Sequence, residues 1–67
     1  MQRDIVVNGA AAATSAGTLA DLVIELGYGN ARVATAVNGD FVPERARGGR
    51  PIAPGDRIEI VAARQGG

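Results

Sequence analysis

An α+β domain, with one mixed sheet of four to five strands closed over a single helix, is what this 67-residue sequence predicts. Three observations lead there. Two β-branched runs, Asp4–Val7 and Val33–Val37, are each followed by Asn-Gly, the dipeptide that best tolerates the positive φ angles of a two-residue hairpin turn. One stretch, Leu19 to Leu26, repeats its apolar residues at helical spacing. A last alternating run, Arg57 to Ala63, brings no second helix with it, so one apolar stripe must cover one face of one sheet and leave the other face wet.

Taken in order, Asp4-Ile5-Val6-Val7 is a strand and Asn8-Gly9 turns it back through Ala10 to Thr14, whose alanines favour extended structure only weakly. Ser15-Ala16-Gly17 is a loop. Thr18 opens the helix, its hydroxyl accepting an orphan amide of the first turn, with Asp21 three residues on in a capping-box pattern. Leu19, Leu22, Val23 and Leu26 form the apolar stripe, Asp21 and Glu25 point to water, and Gly27 ends the helix in the left-handed conformation. In the next strand Val33, Thr35 and Val37 share one face, Ala34 and Ala36 the other. Asn38-Gly39 returns the chain through Phe41-Val42 to Pro43. Glu44 to Arg50, polar and basic, reads as an exposed loop, Pro51-Ile52 as a short extended piece, and Pro54-Gly55-Asp56 as a turn. Along the last strand Ile58, Ile60 and Ala62 face inward, and Arg57, Glu59 and Val61 outward.

Composition excludes much chemistry. With 15 Val, Ile and Leu, 13 Ala, one Phe, one Tyr and no Trp, the core is thin and aliphatic. A chain this short buries about 60% of its unfolded surface and leaves little room for a deep, dry catalytic pocket. There is no Cys, His or Lys, which removes thiolate nucleophiles, imidazole bases, amine nucleophiles on side chains and the usual zinc ligands. Ser15, the only serine, therefore has no activating base. Gly27-Tyr28-Gly29 follows a helix instead of opening one, so it offers no phosphate cradle. Arg45, Arg47 and Arg50 around Gly48-Gly49 lack the aromatics of an RNA-binding segment and read as a solvated loop or partner-facing patch. Seven Arg balance seven Asp and Glu, so neither nucleic acid nor membrane is an expected partner. No apolar run approaches the roughly 20 residues of a membrane span, and Met1-Gln2-Arg3-Asp4 begins no signal-peptide pattern. A cytoplasmic protein with no catalytic residue, no metal and no cofactor of its own is the expectation.

Chemistry remains at one place. Residues 1–63 read as the folded domain and 64–67 as a flexible tail, Arg64-Gln65-Gly66-Gly67. Fully extended, four residues reach about 13 Å. Two glycines make a thread narrow enough for a cleft that would reject any side chain. At its tip the α-carboxylate of Gly67 is ionised at neutral pH and a poor electrophile, so a partner must convert it to a mixed anhydride before a nucleophile can attack. The chain is then a substrate and carrier, not an enzyme.

Several runs resemble one family. Val33-Ala34-Thr35-Ala36-Val37-Asn38-Gly39-Asp40-Phe41-Val42-Pro43 is similar to the V-A-x-A-V-N-G-x-x-V-P segment of ThiS-type sulfur carriers of thiamine biosynthesis. Pro54 through Val61 resembles their x-G-D-x-[IV]-E-[IV]-V segment, Thr18 through Leu26 their T-[VL]-x-x-L-[LV]-x-x-L helix, and Gly66-Gly67 their terminal pair. The likeness spans essentially the whole chain. Glu44-Arg45-Ala46-Arg47, where the family often has an aromatic, and Arg64-Gln65, where it has small or apolar residues, depart from the pattern.

The resemblance implies a ubiquitin-like β-grasp fold and chemistry at the C-terminus. An adenylyltransferase of the ThiF type, using ATP and Mg, would activate Gly67. Sulfur from a cysteine-desulfurase pathway would then displace AMP, and the thiocarboxylate would feed a thiazole synthase of the ThiG type. Gly66, Gln65 and Arg64 would thread into the partner, and the sheet face away from the helix, through Ala36, Phe41 and Val61, would dock on it. A MoaD-type carrier for molybdopterin or another metabolite, a covalent protein modifier, and a β-grasp interaction module with an inert tail are the other readings the sequence leaves open.

Overall fold

The computed structural model describes residues 2–29 and 31–62. Its elements run β1 (Arg3–Val7), β2 (Ala10–Thr14), α1 (Leu19–Glu25), β3 (Val33–Val37), β4 (Asp40–Val42), a 3-10 helix (Glu44–Gly49) and β5 (Arg57–Ala62). Each Asn-Gly closes a two-residue hairpin, with φ of 50° at Asn8, 83° at Gly9, 53° at Asn38 and 87° at Gly39. Positive φ at both central residues is the type I′ geometry, whose twist matches that of the flanking strands. Register follows from the turns: Val7 pairs Ala10 and Ile5 pairs Ala12 in the first hairpin, Val37 pairs Asp40 and Ala36 pairs Phe41 in the second.

The sheet has the order β2-β1-β5-β3-β4. The last strand enters between the hairpins, parallel to β1 and antiparallel to β3. The mixed sheet expected from the sequence is thus five-stranded. β5 overlaps β1 only at Arg57 and Ile58, while its pairing with β3 continues to Ala62 opposite Val33.

The helix is bounded as its sequence dictates. Thr18 Oγ1 accepts from Asp21 N at 3.2 Å, the capping bond expected to stabilise a helix start by about 1 kcal/mol. At the other end Gly27 N donates to Ile24 O and Tyr28 N to Val23 O, both at 3.0 Å. This pair is the Schellman arrangement, and the φ of 90° at Gly27 is the left-handed turn it requires. Leu19, Leu22 and Val23 are buried against Ile5, Val37, Val42, Ile52, Ile58 and Ile60. The inward face of the sheet and one stripe of the helix make a single core. No helix among the described residues is long and apolar enough to cross a membrane.

Three expectations are corrected. Leu26 is 38% exposed, because it is the helix C-cap, where the chain already turns away from the stripe. Ala62 alternates inward by parity yet is exposed, lying at the end of β5 with β1 no longer alongside. The segment expected as an exposed loop is a 3-10 helix, and Arg47 within it is only 8% exposed. Its burial is possible because its donors are used: Nε donates to Thr35 Oγ1 at 3.0 Å and Nη2 to Val33 O at 2.6 Å. Thr35 Oγ1 in turn donates to Val42 O at 2.7 Å. One guanidinium therefore ties the 3-10 helix to β3, and through Thr35 to β4. Burying an arginine without such partners would cost several kcal/mol.

Candidate functional site

The candidate residues named from sequence fall in two places. Ala36, Phe41 and Val61 all lie on the sheet face opposite α1. Phe41 is 68% exposed and Val61 64% exposed, whereas Ala36 is partly buried. Register explains their grouping. Ala36 stands directly opposite Phe41 across the second hairpin, and Ala34 opposite Val61 across β3 and β5. The strand alternation that buries Thr35, Val37, Ile58 and Ile60 turns these side chains outward together. The patch is apolar and small, with Glu59 opposite Ala36 on its other side.

The second place is the tail. Arg64, Gln65, Gly66 and Gly67 lie outside the described residues, as does the boundary between residues 63 and 64. The described chain shows how β5 is held on its way there. From the β1 side, Val6 N donates to Asp56 O and Asn8 N to Ile58 O, both at 2.9 Å. The Asn8 side chain then adds a further rung: its Nδ2 donates to Ile60 O at 3.1 Å and its Oδ1 accepts from Ile60 N at 2.9 Å. A carboxamide thus serves β5 as a peptide group would.

From the β3 side, Asn38 N donates to Arg57 O at 2.8 Å, and Asn38 Oδ1 accepts from Arg57 N at 2.9 Å. Asn38 Nδ2 donates to Asp56 Oδ1 at 3.0 Å. The other carboxylate oxygen of Asp56 accepts from Ala53 N at 2.9 Å, closing the turn before β5. Beyond Ile60 the strand continues beside β3 alone among the described residues, and there Arg47 braces β3 at Val33, the partner of Ala62.

Sequence reasoning recognised both asparagines as turn formers and missed what their side chains hold. Their spacing from β5 depends on a contact 52 residues away for Asn8 and 19 for Asn38. Arg47, expected in a solvated loop or partner-facing patch, is instead buried, and only Pro43 and Pro51 on either side of it hint at a constrained segment. A cavity of about 480 Å³ opens on the surface between the turns, lined by Val6, Gly9, Asn38, Gly39, Arg57 and Glu59 among others. Among the described residues no group of three or more His, Cys, Asp or Glu could hold a metal ion.

Comparison with known proteins agrees with this architecture. Among solved structures the chain is similar to the crystal structure of a thiamine biosynthesis protein, ThiS, from Geobacter metallireducens, with a TM-score of 0.79 and 24% identity. That match covers 96% of this chain and 99% of the other. At this identity the likeness establishes the β-grasp fold. No curated protein sequence matches the chain. The model of the ThiS family matches residues 3–67, nearly the whole sequence and through both final glycines. The chain therefore belongs to the ThiS family, the small sulfur carriers of thiamine biosynthesis.

Proposed function

We propose that this protein carries sulfur on the C-terminal carboxylate of Gly67 for thiazole formation in thiamine biosynthesis, as a non-catalytic substrate of cytoplasmic partner enzymes. The observation that carries the reading is that the family match runs through Gly66 and Gly67. The fold gives it a physical setting: β5 is fixed on both sides at Arg57 and Ile58, then heads toward residues 63–67.

The chemistry follows from the carboxylate. One of its oxygens attacks the α-phosphorus of ATP, bound with Mg on a ThiF-type adenylyltransferase, and pyrophosphate leaves. The acyl-adenylate is now electrophilic at carbon. The outer sulfur of a persulfide, delivered from a cysteine-desulfurase pathway, attacks that carbon, and the C–O bond to AMP breaks to leave an acyl disulfide. A thiol of the partner system then attacks the donor's sulfur, the S–S bond breaks, a disulfide forms on the partner side, and the thiocarboxylate is released. A ThiG-type thiazole synthase takes the sulfur. This chain supplies no base and binds no cofactor. Its contribution is a slender tail and a rigid platform, with Arg64, Gln65 and Gly66 threading into the partner and the Ala36–Phe41–Val61 face docking on it.

Two experiments test the reading. Appending one residue after Gly67 should abolish complementation of a carrier-deficient strain while leaving the fold intact. Full complementation by an extended chain shown to stay uncleaved would refute terminal chemistry. Val61→Asp should slow activation and sulfur transfer with little loss of stability, because an exposed position tolerates substitution within about 0.5 kcal/mol. Unchanged transfer rates would remove that face from the docking surface. Formation of protein conjugates in place of thiocarboxylate would point instead to a covalent modifier.

A further inference from the structure

Asn8-Gly9 and Asn38-Gly39 place a small, unhindered amide directly after an asparagine, the arrangement in which a side-chain carboxamide is most open to attack by its own backbone. In that reaction the Gly nitrogen bonds to Asn Cγ, the Cγ–Nδ2 bond breaks, and the nitrogen's proton leaves with Nδ2 as ammonia. Solvent water then opens the cyclic imide at either carbonyl, yielding Asp or isoaspartate. Ring closure requires the carboxamide to rotate back over the following peptide. In this fold both carboxamides are engaged elsewhere by hydrogen bonds. Asn8 is held across to Ile60 by two hydrogen bonds, of 3.1 and 2.9 Å. Asn38 is held to Arg57 N at 2.9 Å and to Asp56 at 3.0 Å.

We propose that Asn8 and Asn38 are latent self-modification sites guarded by their clasps on β5, so that deamidation occurs only when the strand lets go and then prevents it from re-docking. The products are mismatched to the sites they leave. A carboxylate at position 8 would set an oxygen where Nδ2 now donates, against the Ile60 carbonyl. A carboxylate at position 38 would face the Asp56 carboxylate in place of the present donor. Isoaspartate would also lengthen the backbone by one carbon inside a two-residue turn, altering the spacing on which the hairpin register depends. The strand at stake is the one leading to residues 63–67, so such a lesion would remove the carrier from use. The guarding rests on the two turns alone, while the loss of a working carrier rests on the function proposed above.

The test is ageing of the full-length protein in mildly alkaline buffer, folded and in urea, with deamidation at each asparagine measured by peptide mapping. Native hydrogen exchange is followed in parallel at the amides of Ile60 and Arg57, which report directly on the two clasps. Both sites should deamidate at least about tenfold more slowly in the folded protein, because modification must wait for local opening. The site whose reporter amide exchanges faster should also deamidate faster. Rates within about twofold of those in urea, while the reporter amides stay protected, would overturn the proposal, since the clasps would then be closed and not guarding. Deamidation that ran opposite to the exchange order would overturn it too.

Discussion

The two hairpins have the same Asn-Gly turn and nearly the same φ angles, yet their asparagines serve β5 differently. Asn8 ends a strand that runs parallel to β5, so its carboxamide continues the ladder by one rung, exchanging two bonds with Ile60. Asn38 ends a strand antiparallel to β5, so its backbone and side chain together bracket Arg57, and its remaining donor reaches Asp56. A dipeptide settles local backbone geometry, whereas the direction of the neighbouring strand settles what its side chain binds. Among the described residues, the first clasp is the last hydrogen bond to β5 from the β1 side. The second fixes where β5 begins.

That difference can be broken on purpose. Asn8→Ala removes both bonds to Ile60 and leaves its N–H and C=O without protein partners, so a loss of about 2–3 kcal/mol in urea denaturation is expected. Its signature should be faster hydrogen exchange at Ile60. An effect below that of Asn38→Ala would contradict the parallel-rung account.

Arg47→Met keeps much of the aliphatic stem and removes the guanidinium, and should cost about 1–3 kcal/mol. Exchange should rise around Thr35 and Val42 and not at Arg57. Uniform loosening of both ends of β5 would show that the brace is not local.

Asn38→Ala should cost about 1–2 kcal/mol, since Asp56 retains its bond from Ala53 N. Asn38→Asp sharpens the point through pH. A second carboxyl beside Asp56 is tolerated when one of the two carries a proton and can donate, so the folded variant binds a proton more readily than its unfolded chain. Its stability should therefore fall as pH rises from acid to neutral. A penalty independent of pH would mean that the carboxylates do not face each other.

The smallest effects should come from Gly9→Ala and Gly39→Ala. An added Cβ would meet nothing within 4 Å at either position, leaving only the strain of positive φ, about 1 kcal/mol. The two values should agree. A marked inequality would show that the turns are less alike than their φ angles.

Much of the fold was legible because it is local. The Asn-Gly turns, the Thr18 cap, the Gly27 stop and the alternation of Thr35, Val37, Ile58 and Ile60 each depend on residues a few positions apart. The position of β5 between β1 and β3 was not, because pairing partners more than 20 residues distant, such as Ile58 with Val37, leave no periodicity to read. The apolar face was anticipated from parity, and register added that Phe41 adjoins Ala36 and Val61 adjoins Ala34. Arg47 defeated the reading for a related reason. A charged side chain in a Gly-rich segment defaults to solvent, and only the carbonyl of Val33 and hydroxyl of Thr35, supplied by another element, make its burial tolerable.

On the proposed function, partner enzymes rewrite the last carboxylate of this chain while the rest serves as their platform. Intact mass spectrometry of the purified protein, after incubation with a ThiF-type adenylyltransferase, ATP and a sulfur donor, tests it most directly. Exchange of one oxygen for sulfur should add about 16 Da, confined to the peptide that ends in Gly67. An unchanged mass with a demonstrably active partner, or the added sulfur on any other peptide, would contradict it.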